Sequence, residues 1–369
     1  MNYRSPVTGR PLVADTSHSL AAPGERWPVV DGIPYLRTDS EGLVAVALDH
    51  LDAGCPDDAL VALLTDQDAW WTGPATDLGE LKQLVCERDT LTLRAAMGLL
   101  RMGPVADYFA HRWSDPTYLA GLALVEAHWC KPGTGFELAC GIGHYLRELT
   151  ARGVACVGAD VVFSKCWLAK YWVAPAAEYV VFDAAALWPV ETQKFDFVAC
   201  HDAFYFLPDQ PRIAGLLREA IAPGGVLAVS HLHNAAVSGG AMGPARSSSE
   251  WAALFPDAVV YDERELRRAL LTTDAPAATA WFDDPEIEAW SIVETDRVEA
   301  NGGAARALTG GLAMPAADAV LQPNPLLDRG TPRWPSDRYR SEYGAAATWM
   351  SDTGDAARNR RILDLPARW

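Results

Sequence analysis

Apolar residues recur along the chain in two rhythms, and their alternation predicts the fold class. Short apolar runs typical of buried strands cover residues 136–140, 154–159 and 178–183, and residues 194–209 predict a fourth strand followed by a turn. A stretch with apolar residues at helical spacing lies between the first two runs, and Leu146 and Leu149 belong to its stripe. Strands that alternate with helices in this way predict an α/β protein with a mainly parallel sheet.

The strand and helix pattern continues toward residue 296. Residues 216–234 predict a helix, a Pro-Gly-Gly turn and a fifth strand, and residues 262–271 predict another helix. Two apolar segments follow, 278–284 and 287–296, joined by Asp284 and Pro285. We expect these two segments to form a β-hairpin that supplies the last two strands of the sheet.

Three further regions flank this core. Residues 1–38 contain short strand-like segments, whereas residues 41–130 have mostly helical spacing with Gly and Pro between the helices. Within them, 107–129 directly precedes the core and is the expected lid. The chain therefore divides into a small module (1–38), a helical cap (41–130), a core (131–296) and a C-terminal extension (297–369). The extension would either fold over a pocket or mediate a homodimer.

The Gly-rich turn after the first predicted strand is the main candidate for a ligand site. Gly141 and Gly143 let the backbone approach a ligand closely and start a helix at once. The second strand ends in Asp160, where an acid can hold both hydroxyls of a ribose. Glu137 precedes the turn, and its charge would repel a pyrophosphate but suit an ammonium group. An ordinary strand–helix turn without a ligand is the alternative.

This stretch resembles motif I of class I S-adenosylmethionine (SAM)-dependent methyltransferases, acid-x-G-x-G-x-G, with Ala139 at the first Gly position. The resemblance implies a Rossmann-like, seven-stranded mixed sheet with helices on both faces. It also implies SAM as cofactor, S-adenosylhomocysteine (SAH) as product, and no metal. The cofactor-binding residues that it indicates are Glu137, Ala139, Gly141, Gly143, His144, Asp160, Val161, Asp183, Ala184 and His201.

Residues 1–38 resemble the small zinc-ribbon domain that is attached to some methyltransferases. Ser5 and Thr8 stand at two of its cysteine positions, and no later cysteine supplies the other pair. The resemblance therefore implies a degenerate module that has lost its metal, because hydroxyl groups do not replace thiolates as zinc ligands. Its expected packing residues are Trp27, Val29, Val30, Ile33 and Tyr35. An unrelated N-terminal hairpin is the alternative.

Polar residues at the ends of the fourth and fifth predicted strands are candidates for chemistry. Methyl transfer needs a nucleophile held in line and often a base, and ligands of α/β sheets bind at the carboxyl ends of the strands. The candidate catalytic residues are His201, Tyr205, His231 and His233. The candidate substrate-pocket residues are Tyr108, His111, Asp202 and Tyr205. A structural hydrogen bond is the alternative for each histidine.

Composition narrows the partners that we expect. The 369-residue chain has a net charge of −17, which disfavours a nucleic-acid partner. None of the seven cysteines forms a C-x-x-C pair, which argues against a zinc or redox motif. We see neither a signal-peptide pattern nor a transmembrane apolar run, which predicts a cytoplasmic protein without a membrane partner.

The expected function is SAM-dependent methylation of a small molecule. Many Ala, Asp and Arg residues with few Lys suggest a GC-rich bacterial genome, and we expect a role in secondary metabolism such as natural product biosynthesis. An rRNA or tRNA methyltransferase is one alternative. A methyltransferase fold with non-methylating SAM chemistry or a binding role is another. The acceptor atom is not readable from the sequence.

Overall fold

A small antiparallel sheet begins the chain. We describe the protein from a computed structural model over residues 1–67, 71, 73–190, 193–237, 243–296, 305–309, 312, 314–316 and 318–369. The first four strands are β1 (Val13–Thr16), β2 (Ser19–Ala22), β3 (Glu25–Val30) and β4 (Ile33–Pro34). Of the expected packing residues, Trp27, Val30, Ile33 and Tyr35 are buried, while Val29 is only partly buried.

The two hydroxyl residues at the cysteine positions converge on one carboxylate. Ser5 and Thr8 both donate to Glu25, at 2.5 and 2.6 Å, and the indole N–H of Trp27 donates to it at 3.2 Å. These contacts fasten the first turn to β3. Within the described ranges, no group of three or more His, Cys, Asp or Glu side chains is arranged to hold a metal ion. The relation to a zinc ribbon stays a prediction.

Between this module and the core, the described residues form six helices. They are α1 (Glu41–Asp52), α2 (Pro56–Leu64), α3 (Leu78–Glu87), α4 (Leu93–Leu99), α5 (Pro104–His111) and α6 (Pro116–Ala127). A 3-10 turn, Arg112–Ser114, separates the last two, because Asp115 caps α6 and Pro116 begins it. The expected lid, 107–129, is therefore two elements, and α6 is buried along its whole length.

The core contains seven strands. These are β5 (Thr134–Leu138), β6 (Ala155–Asp160), β7 (Glu178–Val181), β8 (Phe195–His201), β9 (Ile221–His233), β10 (Val259–Asp262) and β11 (Ala289–Thr295). The helices of this region are α7 (His144–Thr150), α8 (Phe163–Leu168), α9 (Gln210–Glu219), α10 (Ser248–Leu254) and α11 (Glu263–Thr272). A π-helical turn, Ala169–Val173, extends α8.

The strand order is β10-β11-β9-β8-β5-β6-β7, and β11 runs antiparallel to both neighbours. The pairs among β5, β6, β7, β8 and β9 are parallel. Alternate residues of β8 face opposite sides: Val198 packs with the α9 side, and Phe197 with the α6 side. This arrangement confirms the expected seven-stranded mixed sheet with helices on both faces.

The prediction of a hairpin at 278–296 is wrong in its first half. Residues 287–296 do contain β11, but β11 pairs with β10, which lies before α11. Residues 278–284 contribute only an isolated bridge between Thr279 and Val260. The aromatic pair Trp281 and Phe282 gave this segment a strand-like pattern. Pairing of Val259–Asp262 with β11 already occupies that edge.

The C-terminal extension crosses back over the core. It contains β12 (Gln322–Pro323), β13 (Leu327–Asp328), β14 (Thr331–Pro332), α12 (Asp337–Tyr343) and β15 (Ile362–Leu363). Asn324 donates to Ser114, and Tyr339 donates to the carbonyl of His111, so α12 is held against α5. No helix in the described ranges is both long and apolar enough to cross a membrane.

Candidate active site

A cavity of about 610 Å³ lies at the carboxyl ends of β5, β6, β8 and β9. Its walls include the Gly-rich turn and residues from the N-terminal module, α5 and α12. Of the predicted site residues, these line it: Tyr108, Glu137, Ala139, Gly141, His144, Asp160, Val161, Asp183, Ala184, His201, Asp202, Tyr205, His231 and His233. The fold therefore brings most of the candidates from distant positions into one space.

Asp160 ties the Gly-rich turn to the end of β6. Its Oδ2 accepts from the Gly141 amide at 3.0 Å, and its Oδ1 accepts from the Val162 amide at 3.1 Å. Asp160 is buried, with 6% of its surface exposed, and Lys165 Nζ lies 3.6 Å from Oδ1. A carboxylate has about four acceptor positions, so each oxygen keeps capacity for a ligand hydroxyl.

The Gly-rich turn has three left-handed residues at alternate positions. Gly141 and Gly143 have φ values of 54° and 81°, and Ala139 has 55°. A Cβ on Gly143 would come within 3.2 Å of Ala169 and Tyr179, so this glycine is needed for packing as well as for its backbone angle. Ala139 occupies a conformation that favours glycine, which explains the glycine of the resembling motif.

Replacing Ala139 with glycine is expected to raise the free energy of unfolding by about 1 kcal/mol. Glycine removes the clash of Cβ with the backbone at positive φ, and this gain exceeds its greater entropy in the unfolded chain. Denaturant unfolding measures the change. Ala45→Gly on the exposed side of α1 is the matched control, and it should lower stability by about 1 kcal/mol. Equal losses in both variants would contradict strain at residue 139.

Glu137 is a buried acid on the cavity wall. Its Oε2 has no hydrogen-bond partner among the described residues. Burial raises the pKa of this carboxyl to about 8, against the lowering effect of Arg112 and with a further rise from Asp160. A buried carboxyl group that lacks a partner is suited to a cationic ligand.

The remaining predicted cofactor residues differ in their surroundings. Asp183 accepts from the Ala185 amide at 2.8 Å and is partly exposed at the cavity, beside Ala184. His144 is engaged away from the turn, because its Nε2 lies 2.9 Å from the Phe109 carbonyl. Gly143 does not line the cavity and instead supports the start of α7.

Asp202 is the centre of a buried polar cluster beyond the turn. Its Oδ2 accepts from Tyr108 at 3.0 Å and from Arg112 at 2.8 Å, and its Oδ1 accepts from Tyr205 at 3.3 Å. Burial raises the pKa of the carboxyl group, but Arg112 and His231 hold it below its usual value. Asp202 therefore orients three side chains and has little free acceptor capacity.

The three candidate histidines have different electrostatic environments. His201 is buried beneath Tyr145, with ring centroids 3.9 Å apart, and its Nδ1 lies 2.9 Å from Ser230 Oγ. Burial and Arg112 lower its pKa to about 3. Burial and the charge of His231 lower the pKa of His233 to about 4. Both rings are neutral near pH 7.

His231 is held between two carboxylates. Its Nδ1 lies 2.8 Å from Glu263 Oε2, and its Nε2 lies 3.9 Å from Asp202 Oδ1. Glu263, the first residue of α11, also accepts from the His231 amide at 2.8 Å. Burial lowers the pKa of His231, but Glu263 and Asp202 outweigh burial and raise it to about 9. His231 is therefore protonated near pH 7.

Replacing Glu263 with glutamine is expected to lower the pKa of His231 by more than about one unit. Without the Glu263 carboxylate, the strongest remaining opposition to the lowering effect of burial on the His231 pKa comes from the more distant Asp202. A pH titration of histidine-labelled protein by NMR measures the change, with His201 as the internal reference because its shift is due to burial and Arg112. An unchanged titration of His231, or a His233 signal that is protonated at pH 7, would contradict the charge assignment.

Several cavity residues were not predicted from the sequence. Arg37 comes from the N-terminal module, Asp39 directly follows that module, and Tyr339, Glu342 and Tyr343 come from α12. Glu263, which does not line the cavity but contacts His231, was also not predicted, because it lies in a helix 32 positions after that histidine. No local sequence signal identifies these residues.

One predicted pocket residue lies elsewhere. His111 is outside the cavity lining and packs against Tyr339 and Trp369, with ring centroids 5.8 and 5.5 Å away. Burial lowers its pKa to about 3. The next residue, Arg112, lines the cavity instead. Arg112 lies four positions after Tyr108, so helical spacing puts these two side chains on the same side, whereas the adjacent His111 is turned away from the cavity.

Comparison with known proteins agrees with this architecture. Residues 136–229 match a family model described as a methyltransferase domain. The match begins in β5 and ends in β9, so it spans the Gly-rich turn and the parallel part of the sheet. No curated protein shows a significant match to the chain.

Solved structures with partial likeness include three from different organisms. A TehB-like SAM-dependent methyltransferase from Corynebacterium glutamicum is 15% identical, with 48% of this chain and 88% of its own covered and a TM-score of 0.38. Phosphoethanolamine N-methyltransferase 2 from Haemonchus contortus, solved with SAM, is 16% identical, with 47% and 46% covered and a TM-score of 0.36. The PH0226 protein from Pyrococcus horikoshii is 26% identical, with 30% and 50% covered and a TM-score of 0.27.

The fold assignment depends on the strand order and on the family match. Together, the seven-stranded mixed sheet and the match over residues 136–229 show that the chain contains a methyltransferase domain with the class I fold.

Proposed function

We propose that the cavity binds SAM and that the protein transfers the methyl group of SAM to a small molecule. The observation that carries this proposal is a set of three acids that line one cavity and belong to three adjacent strands: Glu137 lies near the end of β5, Asp160 ends β6, and Asp183 follows β7. Glu137 would face the ammonium group, Asp160 the ribose hydroxyls, and Asp183 with the Ala184 amide the adenine edge. SAM supplies an activated methyl group on a sulfonium.

Binding of SAH to the wild-type protein is expected to be strongest near pH 8. Below that pH the Glu137 carboxyl is protonated, because its pKa is about 8. The ligand ammonium favours the carboxylate, so binding releases a proton, and affinity rises by up to about tenfold per pH unit toward pH 8. Above pH 8 the carboxyl group is already ionised, so the affinity levels off, and it falls only at higher pH, where the ammonium group of the ligand loses its own proton.

Titration calorimetry in two buffers of different ionisation enthalpy measures this proton release at pH 6.5. Glu137→Gln is the matched variant, since the amide keeps the volume of the side chain but does not titrate. We expect close to one proton released by wild type and none by the variant. No heat of binding in the wild type over the whole pH range would overturn the cofactor assignment.

The charges of the histidines suggest how the acceptor would be handled. His233 lines the cavity, its ring centroid lies 4.3 Å from that of Tyr205, and its Nδ1 has no partner among the described residues. A neutral imidazole can accept the proton that a hydroxyl or amine acceptor loses on methylation. His231, which is positively charged, is unsuited to that role. We therefore assign proton acceptance to His233, and place His231 and Asp202 as its charged surroundings.

A small acceptor is favoured by the way the cavity is covered. Tyr339 and Tyr343 of α12 line one wall, and Tyr343 lies 6.3 Å from Tyr108 of α5, with the two rings stacked. The net charge of −17 adds to the case against RNA. Cytoplasmic location and bacterial secondary metabolism belong to the same proposal.

A screen of small hydroxyl and amine compounds for SAH formation tests the proposal of a small acceptor. Micromolar, steeply salt-dependent binding of bulk RNA would contradict it.

A further inference from the structure

Two residues outside the methyltransferase core form a buried ion pair beside the predicted ribose acid. Arg37 follows β4 in the N-terminal module, and Asp66 follows α2. Arg37 NH1 lies 2.8 Å from Asp66 Oδ1, and the two side chains are only 7% and 4% exposed. Arg37 also donates to the Asp39 carboxylate at 2.6 Å and to the Gln67 carbonyl at 3.1 Å. The pair is therefore fully engaged inside the protein.

The same pair holds the backbone that follows β6. Asp66 Oδ2 accepts from the Phe163 amide at 3.3 Å, and Arg37 NH1 donates to the Val161 carbonyl at 3.4 Å. Val162 lies between Val161 and Phe163 in the chain, and its amide donates to Asp160 Oδ1 at 3.1 Å. The loop at 161–163 is thus held by the core acid on one side and by the Arg37–Asp66 pair on the other.

The N-terminal module has a fixed place for this role. The Leu36 amide donates to the Val181 carbonyl at 2.7 Å, and Tyr35 forms a parallel bridge with Val181. The chain after β4 therefore continues the central sheet beyond β7. This attachment places Arg37 directly at the cavity, which it lines together with Gln67 and Val161.

We propose that Arg37 and Asp66 are positioning residues for the adenosine half of the cofactor. The pair fixes the 161–163 backbone, and that backbone in turn fixes the orientation of Asp160 toward the ribose. The N-terminal module would thereby act as part of the cofactor site. This inference rests on the proposed function, because it requires that the cavity binds SAM or SAH.

Two ligands separate the adenosine half from the amino-acid half. SAH carries both, whereas 5′-methylthioadenosine lacks the amino-acid tail. We expect Arg37→Gln and Asp66→Ala each to lower the affinity for both ligands by about tenfold, because a charge-assisted contact to the 161–163 loop is lost. Glu137→Gln should weaken SAH alone. Asp66→Asn keeps an acceptor for the Phe163 amide and should recover part of the loss.

A matched control distinguishes positioning from general damage to the module. Arg26 and Asp52 form an ion pair at 2.6 Å between β3 and α1, with side chains 29% and 47% exposed. Arg26→Gln should leave the affinity for both ligands unchanged. Circular dichroism and the binding stoichiometry give the folded fraction of each variant. If Arg37→Gln does not fold, the affinities of the near-isosteric Asp66→Asn test the positioning role instead.

The outcomes separate the two levels of the argument. If the wild type binds neither ligand, the proposed function fails and the positioning role fails with it. If the wild type binds both ligands and the folded Arg37 and Asp66 variants bind them equally well, only the positioning role is wrong. If these variants bind SAH more weakly but methylthioadenosine as well as the wild type does, the positioning role is also wrong, because the pair would then act on the amino-acid half.

Discussion

Replacing Asp160 with alanine is expected to weaken SAH binding by roughly 1.5–3 kcal/mol, which is tenfold or more. The loss has two sources. The variant lacks the carboxylate that is proposed to hold the ribose hydroxyls. It also loses the two hydrogen bonds that Asp160 accepts from the Gly141 and Val162 amides. Titration calorimetry at pH 8 measures the change, since the wild-type affinity is expected to be greatest there.

Asp196 offers a control of the same chemistry at the amino-terminal ends of the strands, because it is the second residue of β8. Its Oδ2 accepts from the Gly133 and Thr134 amides at 2.8 and 3.0 Å, near the start of β5. Asp196→Ala removes a comparable pair of backbone contacts far from the strand ends that form the cavity. We expect it to lower stability without changing SAH affinity. Equal affinity in Asp160→Ala and wild type would refute the ribose assignment.

Arg112→Gln is expected to lower the free energy of unfolding by about 3–5 kcal/mol. The guanidinium is 3% exposed and contacts Asp202 at 2.8 Å, Asp115 at 3.3 Å and Thr117 at 2.6 Å. Removing it takes the nearest counter-charge from two buried carboxylates: Asp115 loses its ion pair, and Asp202 keeps only the more distant attraction of His231 at 3.9 Å. The cost of those uncompensated charges, more than the lost attraction, makes the effect large.

Urea unfolding followed by tryptophan fluorescence measures this loss. Arg333→Gln is the control, because Arg333 and Asp328 form an exposed pair at 3.7 Å. Exposed pairs contribute about 0–1 kcal/mol, so the control should be close to wild type. A loss below about 1 kcal/mol in Arg112→Gln would mean that water reaches the cluster and screens it.

Local patterns were sufficient to predict the core of the fold. The apolar runs at 136–140 and 154–159 became β5 and β6, and the stripe of Leu146 and Leu149 became the buried side of α7. Strand and helix periods are properties of neighbouring residues, and burial on one face enforces them. The Gly-rich turn was readable for the same reason, since Gly141 and Gly143 report a backbone requirement at their own positions.

The aromatic segment 278–284 shows where local reading fails. Its strand-like composition says that the residues prefer a half-buried, extended environment, but a strand also needs a free edge. The edge of β11 is taken by Val259–Asp262, which lies some twenty residues earlier. Only the packed sheet decides which of two suitable segments pairs.

By itself, the sequence determined the alternation of strands and helices from β5 to β9, the Gly-rich turn and the acids near the strand ends, because each depends on residues close together in the chain. The tertiary structure alone decided the partners of those groups. Glu263 of α11 sets the charge of His231 in β9, Arg37 and Asp66 meet behind the loop after β6, and residues of α12 line the cavity. These contacts join residues tens to hundreds of positions apart, and burial makes their electrostatic effects large, so no local pattern records them.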